Sequence, residues 1–391
     1  MSRTDRLRHF DFAAHNAEQA RAWDAFRAGK PYRVPIILGV NSRYFMPISE
    51  ANPDNVDFRT YTEDPDVMFD SLLRFQRWSR FNLLQDTELG LPEKWVIGLD
   101  FQNYYEAVWL GCPLYFAEGE VPDSRPAYRD NPESLLDRGI PDPFSGLMAK
   151  VLEYQEHFEH RAKNEDYLGR PIEVTPPWCG LGTDGPMTLC CSLFSADRTC
   201  TMLAEEPERM ERLLTFVTDA ILTKTVAFRK RFGVDVPMDD MMIADDSIAL
   251  ISTPMYKEMI LPHHRRIYDT LATPVGRGIH LCGNATRHFR MLMEELGIVT
   301  FDTGFPVDFG ALRRELGPTA RIWGGPHVEL LRTATPEEVR LEVERILSSG
   351  ILEGGMFVLR EGNNLAPHTP IENTEAMYHA GREFGLLGAE S

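Results

Sequence analysis

Eight short apolar or β-branched runs constrain this chain more than any other feature, because they end in or near small clusters of Gly, Asp, Asn or Pro. Most are followed by a segment of helical periodicity, which is the rhythm of βα units. The runs are Val34-Gly39, Asn82-Asp86, Ile172-Pro176, Met241-Ala244, Gly278-Cys282, Val299-Asp302, Arg321-Gly324 and Met356-Leu359. Helices are expected over Pro65–Arg80, Pro207–Phe232, Pro254–Ala272, Thr286–Leu296, Asp308–Leu316, Thr335–Ser349 and Thr369–Phe384. Thr335-Pro336-Glu337-Glu338 supplies an N-cap, a first-turn proline and acids at the positive end of the dipole, and Thr369-Pro370-Ile371-Glu372 repeats the device.

Eight strands alternating with helices predict a closed (β/α)8 TIM barrel, an α/β fold, ahead of an open doubly wound sheet. The expected domain is residues 1–391, a single barrel. The stretch from Leu89 to Gly169 breaks the alternation with aromatic and Pro-rich sequence such as Phe101-Gln102-Asn103-Tyr104-Tyr105, and is too long for an ordinary loop. It reads as an insertion over about 89–169 that covers the barrel mouth.

With 41 basic against 59 acidic residues, the formal charge of -18 gives no reason to approach nucleic acid or anionic lipid. No run reaches the ~18 uninterrupted apolar residues of a membrane span, so a cytoplasmic protein is expected. The six cysteines are sparse and irregular, and read as reduced thiols.

Barrel chemistry gathers at the C-terminal ends of the strands. Those ends are polar here. The first run leads into Asn41, Arg43 and Tyr44, the third into Trp178, the fourth into Asp245 and Asp246. The fifth gives His280, Cys282 and Asn284, the sixth Asp302, the seventh His327, and the eighth Glu361, Asn363 and Asn364. Arg43 at a mouth is a natural carboxylate fork, or a solvated loop residue. Asp245 and Asp246 either cap the next helix or serve as ligand and acid/base. His280 and Cys282, two positions apart on an extended strand, share a face and can offer two soft ligands to zinc. The alternative is a buried imidazole beside a buried free thiol.

The C-terminal half resembles the uroporphyrinogen decarboxylase superfamily. The resemblance rests on Ala244-Asp245-Asp246, Ser252-Thr253-Pro254-Met255-Tyr256, Leu261-Pro262-His263, Gly278-Ile279-His280-Leu281-Cys282-Gly283-Asn284, Trp323-Gly324-Gly325-Pro326 and Thr369-Pro370-Ile371-Glu372-Asn373, in order and approximate spacing. Asp184-Gly185-Pro186 adds to it after the third strand. The resemblance implies a single barrel, often a homodimer, with one of two chemistries: cofactor-free tetrapyrrole decarboxylation, or zinc-dependent methyl transfer between a corrinoid and a thiol or another carrier. Where the decarboxylases carry Arg-Gln-Ala-Gly-Arg, this chain has Val40-Asn41-Ser42-Arg43-Tyr44 and keeps one arginine. His280 and Cys282 match the methyltransferases' His-x-Cys, while their later cysteine is replaced near Glu361-Gly362-Asn363-Asn364.

The leading expectation is a corrinoid-dependent methyltransferase-like enzyme acting on a small molecule, with the cobalamin carried on a separate corrinoid protein or bound free. Zinc is expected on His280 and Cys282, with Asp246, Glu361 or His327 as third ligand. Asp245 and Asp302 are expected to contact substrate, with His280 in the catalytic group, Arg43 as an anion clamp, and Asn363 and Asn364 as orienting amides. The rival is a metal-free lyase that decarboxylates a small carboxylic acid, with Arg43 holding the carboxylate and His280 available as acid or base. A non-catalytic corrinoid or small-molecule binding protein is the third.

Overall fold

The computed structural model describes residues 5–388. Seven strands matter for the site: β1 (Trp95–Ile97), β2 (Arg170–Val174), β3 (Met241–Ala244), β4 (Arg277–Leu281), β5 (Thr300–Thr303), β6 (Arg321–Gly324) and β7 (Phe357–Leu359). β3 to β7 form a continuous parallel sheet in the order β7-β6-β5-β4-β3, while β1 pairs in parallel with β2. The whole is a TIM barrel, as the alternation predicts. Ala244, His280 and Asp302 are opposite one another in consecutive ladders, so their side chains share one face at one height.

The first two expected strands are not ladders, which corrects the sequence reading. Val34–Gly39 is an extended segment bridged to β7 through Leu359 N–H to Pro35 O at 2.9 Å and Ile37 N–H to Leu359 O at 3.0 Å. On its other flank one backbone bond, Asp86 N–H to Ile36 O at 2.6 Å, is supplemented by side chains: Ile36 N–H donates to Asp86 Oδ2 at 2.7 Å and Leu38 N–H to Gln85 Oε1 at 3.0 Å. On the β7 side Gly39 N–H donates to Glu361 Oε1 at 2.7 Å. Pro35 has no N–H to give, and the amides of Ile36, Leu38 and Gly39 are satisfied by carboxylates and an amide that sequence periodicity does not register. Asn82 closes the helix Pro65–Asn82 rather than opening a strand. β1 lies inside the stretch expected to be an insertion, whose residues 99–103 and Tyr105 reach the barrel mouth.

The helices follow their apolar spacing. Pro207–Phe232 buries Met210, Leu213, Leu214, Val217, Ile221 and Phe228, the i, i+3, i+4, i+7 stripe of a core-facing helix. Each such side chain contributes about 1.5–3 kcal/mol of burial. The expected helix Pro254–Ala272 is interrupted by a wide turn over Tyr256–Ile260 and restarts at Leu261–Leu271, because Pro262 lacks the N–H that would continue the first register. Thr335 makes the full capping box with Glu338. Thr369 does not repeat it: its hydroxyl donates to Ala366 O at 2.9 Å and the helix begins at Ile371 without a side-chain cap. No helix among the described residues is long and apolar enough to cross a membrane.

Candidate functional site

A cavity of about 480 Å³ opens at the C-terminal end of the barrel. That size lies within the range of small-molecule sites. Of the residues singled out in the sequence, Asn41, Arg43, Trp178, Asp246, His280 and Asp302 line it, as do Asn363 and Asn364.

The centre of the site grows from the ladder register. Because His280 and Asp302 are direct neighbours on β4 and β5, the imidazole reaches across one strand spacing and donates from Nδ1 to Asp302 Oδ2 at 2.8 Å. Arg360, just past β7, donates from Nη1 to the same oxygen at 2.9 Å. Asp302 is thereby gripped from two sides. Burial works against its ionisation, yet the His280 and Arg360 contacts hold the carboxyl below its ordinary range. Burial likewise opposes charge on His280, but the bond to Asp302, with help from Cys282 and Asp246, pushes the imidazole up to about 10.

With Nδ1 committed, Nε2 faces Asp246, whose Oδ1 stands 3.9 Å away. Asp246 is fixed by accepting the Cys282 backbone N–H at 2.5 Å. One ligand atom from each of Asp246, His280 and Cys282 lies within 4.8 Å of the others. Burial pushes the Cys282 thiol up, with the neighbouring His280 opposing. Two ligands each ~2.1 Å from a tetrahedral zinc stand roughly 3.4 Å apart, so the three donors need only a small inward adjustment to share one ion. The donor set of imidazole, sulfur and carboxylate suits zinc, and the Asp302–His280 bond is the arrangement that orients a metal-binding histidine.

The floor and wall add charge. Asp184 lines the cavity, bridged to Ala244 and held by Gly185 N–H to Ala244 O at 2.7 Å. Burial, then the charges of Glu106, Asp246 and Asp245, push its carboxyl well above the ordinary range. Behind it lies a buried ion pair, Lys224 Nζ to Glu106 Oε1 at 2.7 Å. Lys224 also donates to Cys179 O at 3.2 Å and Gly182 O at 2.9 Å, while Glu106 accepts the Asp184 N–H at 2.9 Å. The pair therefore sets the path of residues 178–184, including Trp178, which is 56% exposed at the mouth. Across the cavity Gln102, at a φ of +51°, accepts from Arg43 Nε at 3.2 Å and donates to Asp100 Oδ1 at 2.5 Å. A left-handed non-glycine residue whose side chain bridges two site groups is a conformation that the surrounding contacts must maintain.

Several expectations need correction. Asp245 is 0% exposed and faces away from the cavity. It accepts Thr188 N–H at 2.7 Å and His264 Nε2–H at 2.7 Å, so it caps the helix Pro186–Phe194 rather than touching substrate. Glu361 is not with the donor triad: it sits beneath the cavity, accepting from Gly39 N and from Arg360 Nη2 at 3.3 Å, and burial pushes it up to about 7. His327 caps the short helix Val328–Thr333 and packs on Phe305. Tyr44 is buried, its hydroxyl on Thr369 O, and Asn284 is exposed with its carbonyl taken by Arg287; neither lines the cavity. Asp100, Gln102, Asp184 and Arg360 received no role from the sequence. Asp184 and Arg360 stood in stretches already marked by motif and strand end. Asp100 and Gln102 lie in the irregular stretch, where no periodicity says which way a side chain faces.

The family model for uroporphyrinogen decarboxylase matches residues 17–384. A uroporphyrinogen decarboxylase from Azoarcus sp. (strain BH72) is 24% identical over 279 residues, covering 68% of this chain and 72% of that protein. A methylated-thiol–coenzyme M methyltransferase from Methanosarcina mazei is 24% identical over 296 residues, covering 72% and 71%. Among solved structures, a methyltransferase from Methanosarcina mazei shares the fold with a TM-score of 0.63 at 17% identity, over 94% of this chain and 98% of that one. Relatives of both activities leave the choice to the cavity.

Proposed function

Taking as premise that this chain belongs to the uroporphyrinogen decarboxylase family, we propose that it transfers a methyl group between a corrinoid and a small sulfur substrate, assisted by zinc. The observation that carries this reading is the convergence of Asp246, His280 and Cys282, with His280 locked by Asp302. Zinc, when bound, supplies the Lewis acidity that makes a thiol sulfur nucleophilic at neutral pH. In the direction of thiol methylation, a carbon–cobalt bond breaks with its electron pair left on cobalt, a carbon–sulfur bond forms and the thiol proton passes to solvent.

The chain's own residues do the rest. His280 Nε2, Cys282 Sγ and an Asp246 oxygen would be the three protein donors to zinc, the number found where a substrate sulfur also binds the metal. Asp302 keeps the proton on Nδ1 so that Nε2 stays turned to the donors, and Arg360 keeps Asp302 in place. Arg43 offers a guanidinium to an anionic group, Asn363 and Asn364 line the same side as Arg360, and Trp178 shields the mouth. The corrinoid approaches from outside the barrel, on a partner protein or free. Against tetrapyrrole decarboxylation stands the entrance, where Arg43 is the one arginine kept from the decarboxylases' Arg-Gln-Ala-Gly-Arg segment.

A second reading has two observations in its favour. Among the described residues Arg43 has no carboxylate partner, and His280 favours its charged form, so a small acid could be held and protonated here without metal. Elemental analysis of protein purified without chelator, as wild type and as His280→Ala with Cys282→Ser, separates the two. Stoichiometric zinc that the double variant loses, with methylcob(III)alamin consumed in the presence of a thiol, is the expected result. Absence of zinc from both, together with acid turnover that requires Arg43, overturns it. Zinc without methyl transfer to or from any sulfur compound would leave a binding protein.

A further inference from the structure

Two ionisable side chains that line this cavity, Arg43 and Asp184, have no partner of opposite charge among the described residues. Arg43 donates from Nε to the neutral Gln102 amide at 3.2 Å, and among the described residues no carboxylate lies within ion-pair distance of its guanidinium. Among the described residues Asp184 makes no side-chain hydrogen bond and has no cation as a direct partner; Lys224, behind it, is spent on Glu106, Cys179 O and Gly182 O. The other acids of the wall are occupied. Asp302 holds His280 and Arg360, and Asp246 stands among the donors. Asp100 is filled by Ser42 Oγ at 2.6 Å, Tyr61 OH at 3.1 Å and Gln102 Nε2 at 2.5 Å.

A guanidinium without a counter-ion and a carboxyl kept uncharged by burial and acidic neighbours line one cavity, and a ligand bearing both a carboxylate and an ammonium brings the missing partner of each. We infer that the sulfur substrate is a small zwitterion, a thiol or its methyl thioether bearing both an ammonium and a carboxylate, with the ammonium set against Asp184 and the carboxylate against Arg43. This rests on the methyl-transfer reading above and adds the substrate class. Asp184, Arg43 and the donors Asp246 and His280 line the same cavity, so the ammonium, the carboxylate and the sulfur of one short aminothiol each have a partner in a single space. Arg43 sits on the short helix Ser42–Phe45 just past the first barrel segment, with its N-cap Asn41 as a further amide for the carboxylate.

The probes are S-methyl-L-cysteine, 3-(methylthio)propanoate, which lacks the ammonium, and 2-(methylthio)ethylamine, which lacks the carboxylate. Each is titrated calorimetrically into the full chain as purified. The zwitterion is expected to bind at least about tenfold tighter than either truncated ligand, the effect of one charge-assisted contact. Asp184→Asn removes the advantage over the propanoate and keeps the advantage over the amine, and Arg43→Gln does the reverse. The inference is overturned when S-methyl-L-cysteine fails to bind, when the truncated ligands bind within about twofold of it, or when either substitution weakens all three alike. The wild-type comparison stands even where a variant does not fold. Methyl transfer from methylcob(III)alamin to 3-mercaptopropanoate, with zinc present and no zwitterion preference, sinks this inference alone; loss of zinc and of all transfer sinks the reading beneath it.

Discussion

Lys224→Met tests whether a buried ion pair holds the cavity wall. The change removes Nζ from Glu106 Oε1, Cys179 O and Gly182 O, at 2.7, 3.2 and 2.9 Å, and from the Tyr105 ring face at 4.8 Å. Both partners are essentially without solvent, at 0% and 2% side-chain exposure, so Glu106 is left as an uncompensated buried carboxylate. Breaking such a pair from one side costs about 3–5 kcal/mol, a large share of the roughly 5–15 kcal/mol that holds a domain folded. Lys224→Met with Glu106→Gln removes both charges while Gln keeps an oxygen for the Asp184 N–H and turns its NH2 to the Thr183 hydroxyl, which can accept. The double variant is therefore expected to recover more than half of the loss, giving a coupling of about 2 kcal/mol or more. Urea denaturation of wild type, both singles and the double closes the cycle, with Trp fluorescence reporting on the wall that carries Trp178. A single-variant cost below about 1 kcal/mol, or a strictly additive double, refutes the argument that this pair sets the path of residues 178–184.

Asp302→Asn keeps the size of the side chain but no longer fixes the His280 tautomer, so zinc affinity in chelator competition should fall about 10–100-fold; an unchanged affinity would show that His280 is not oriented through this contact. His288 supplies a pH signature for stability. Burial and then Arg287 lower its imidazole to about 4 from an ordinary 6.5. The unfolded chain therefore takes up a proton that the folded one refuses, and stability falls as pH drops from about 6.5 to 4. The loss is at most about 3 kcal/mol. His288→Gln, which can still donate to Ile248 O, should lose that part of the slope in urea midpoints measured from pH 7 to 4.5, and an identical slope would contradict the assignment.

The legible half of the fold and the obscure half differ in what satisfies the backbone. β3 to β7 are paired by their own amides, and their apolar runs with Gly or Asp endings announce them. The first two barrel segments depend on Asp86, Gln85 and Glu361, residues up to 322 positions away, and no local pattern encodes a side chain standing in for a strand. At the site the sequence brought the right neighbourhoods forward but could not assign direction. Asp245 and Asp246 are adjacent, yet one caps a helix and the other joins the donors. Asn41, Arg43 and Tyr44 share a turn, and the tyrosine points into the core. His280 and Asp302 were separately visible as strand ends; their contact follows from a ladder register that only the fold supplies.

The division between a sheet knitted by amides and a rim assembled from side chains has a consequence for divergence. The donor groups at 246, 280 and 282 ride on the knitted portion, where a one-residue slip would misplace them all. Arg43, Gln102, Trp178 and Asp184 belong to the stitched rim, where insertions lengthen the chain without breaking a ladder. A lineage can then keep its reaction centre while remodelling what it recognises, and new specificities in related chains should arise by changes in the rim before the triad is touched.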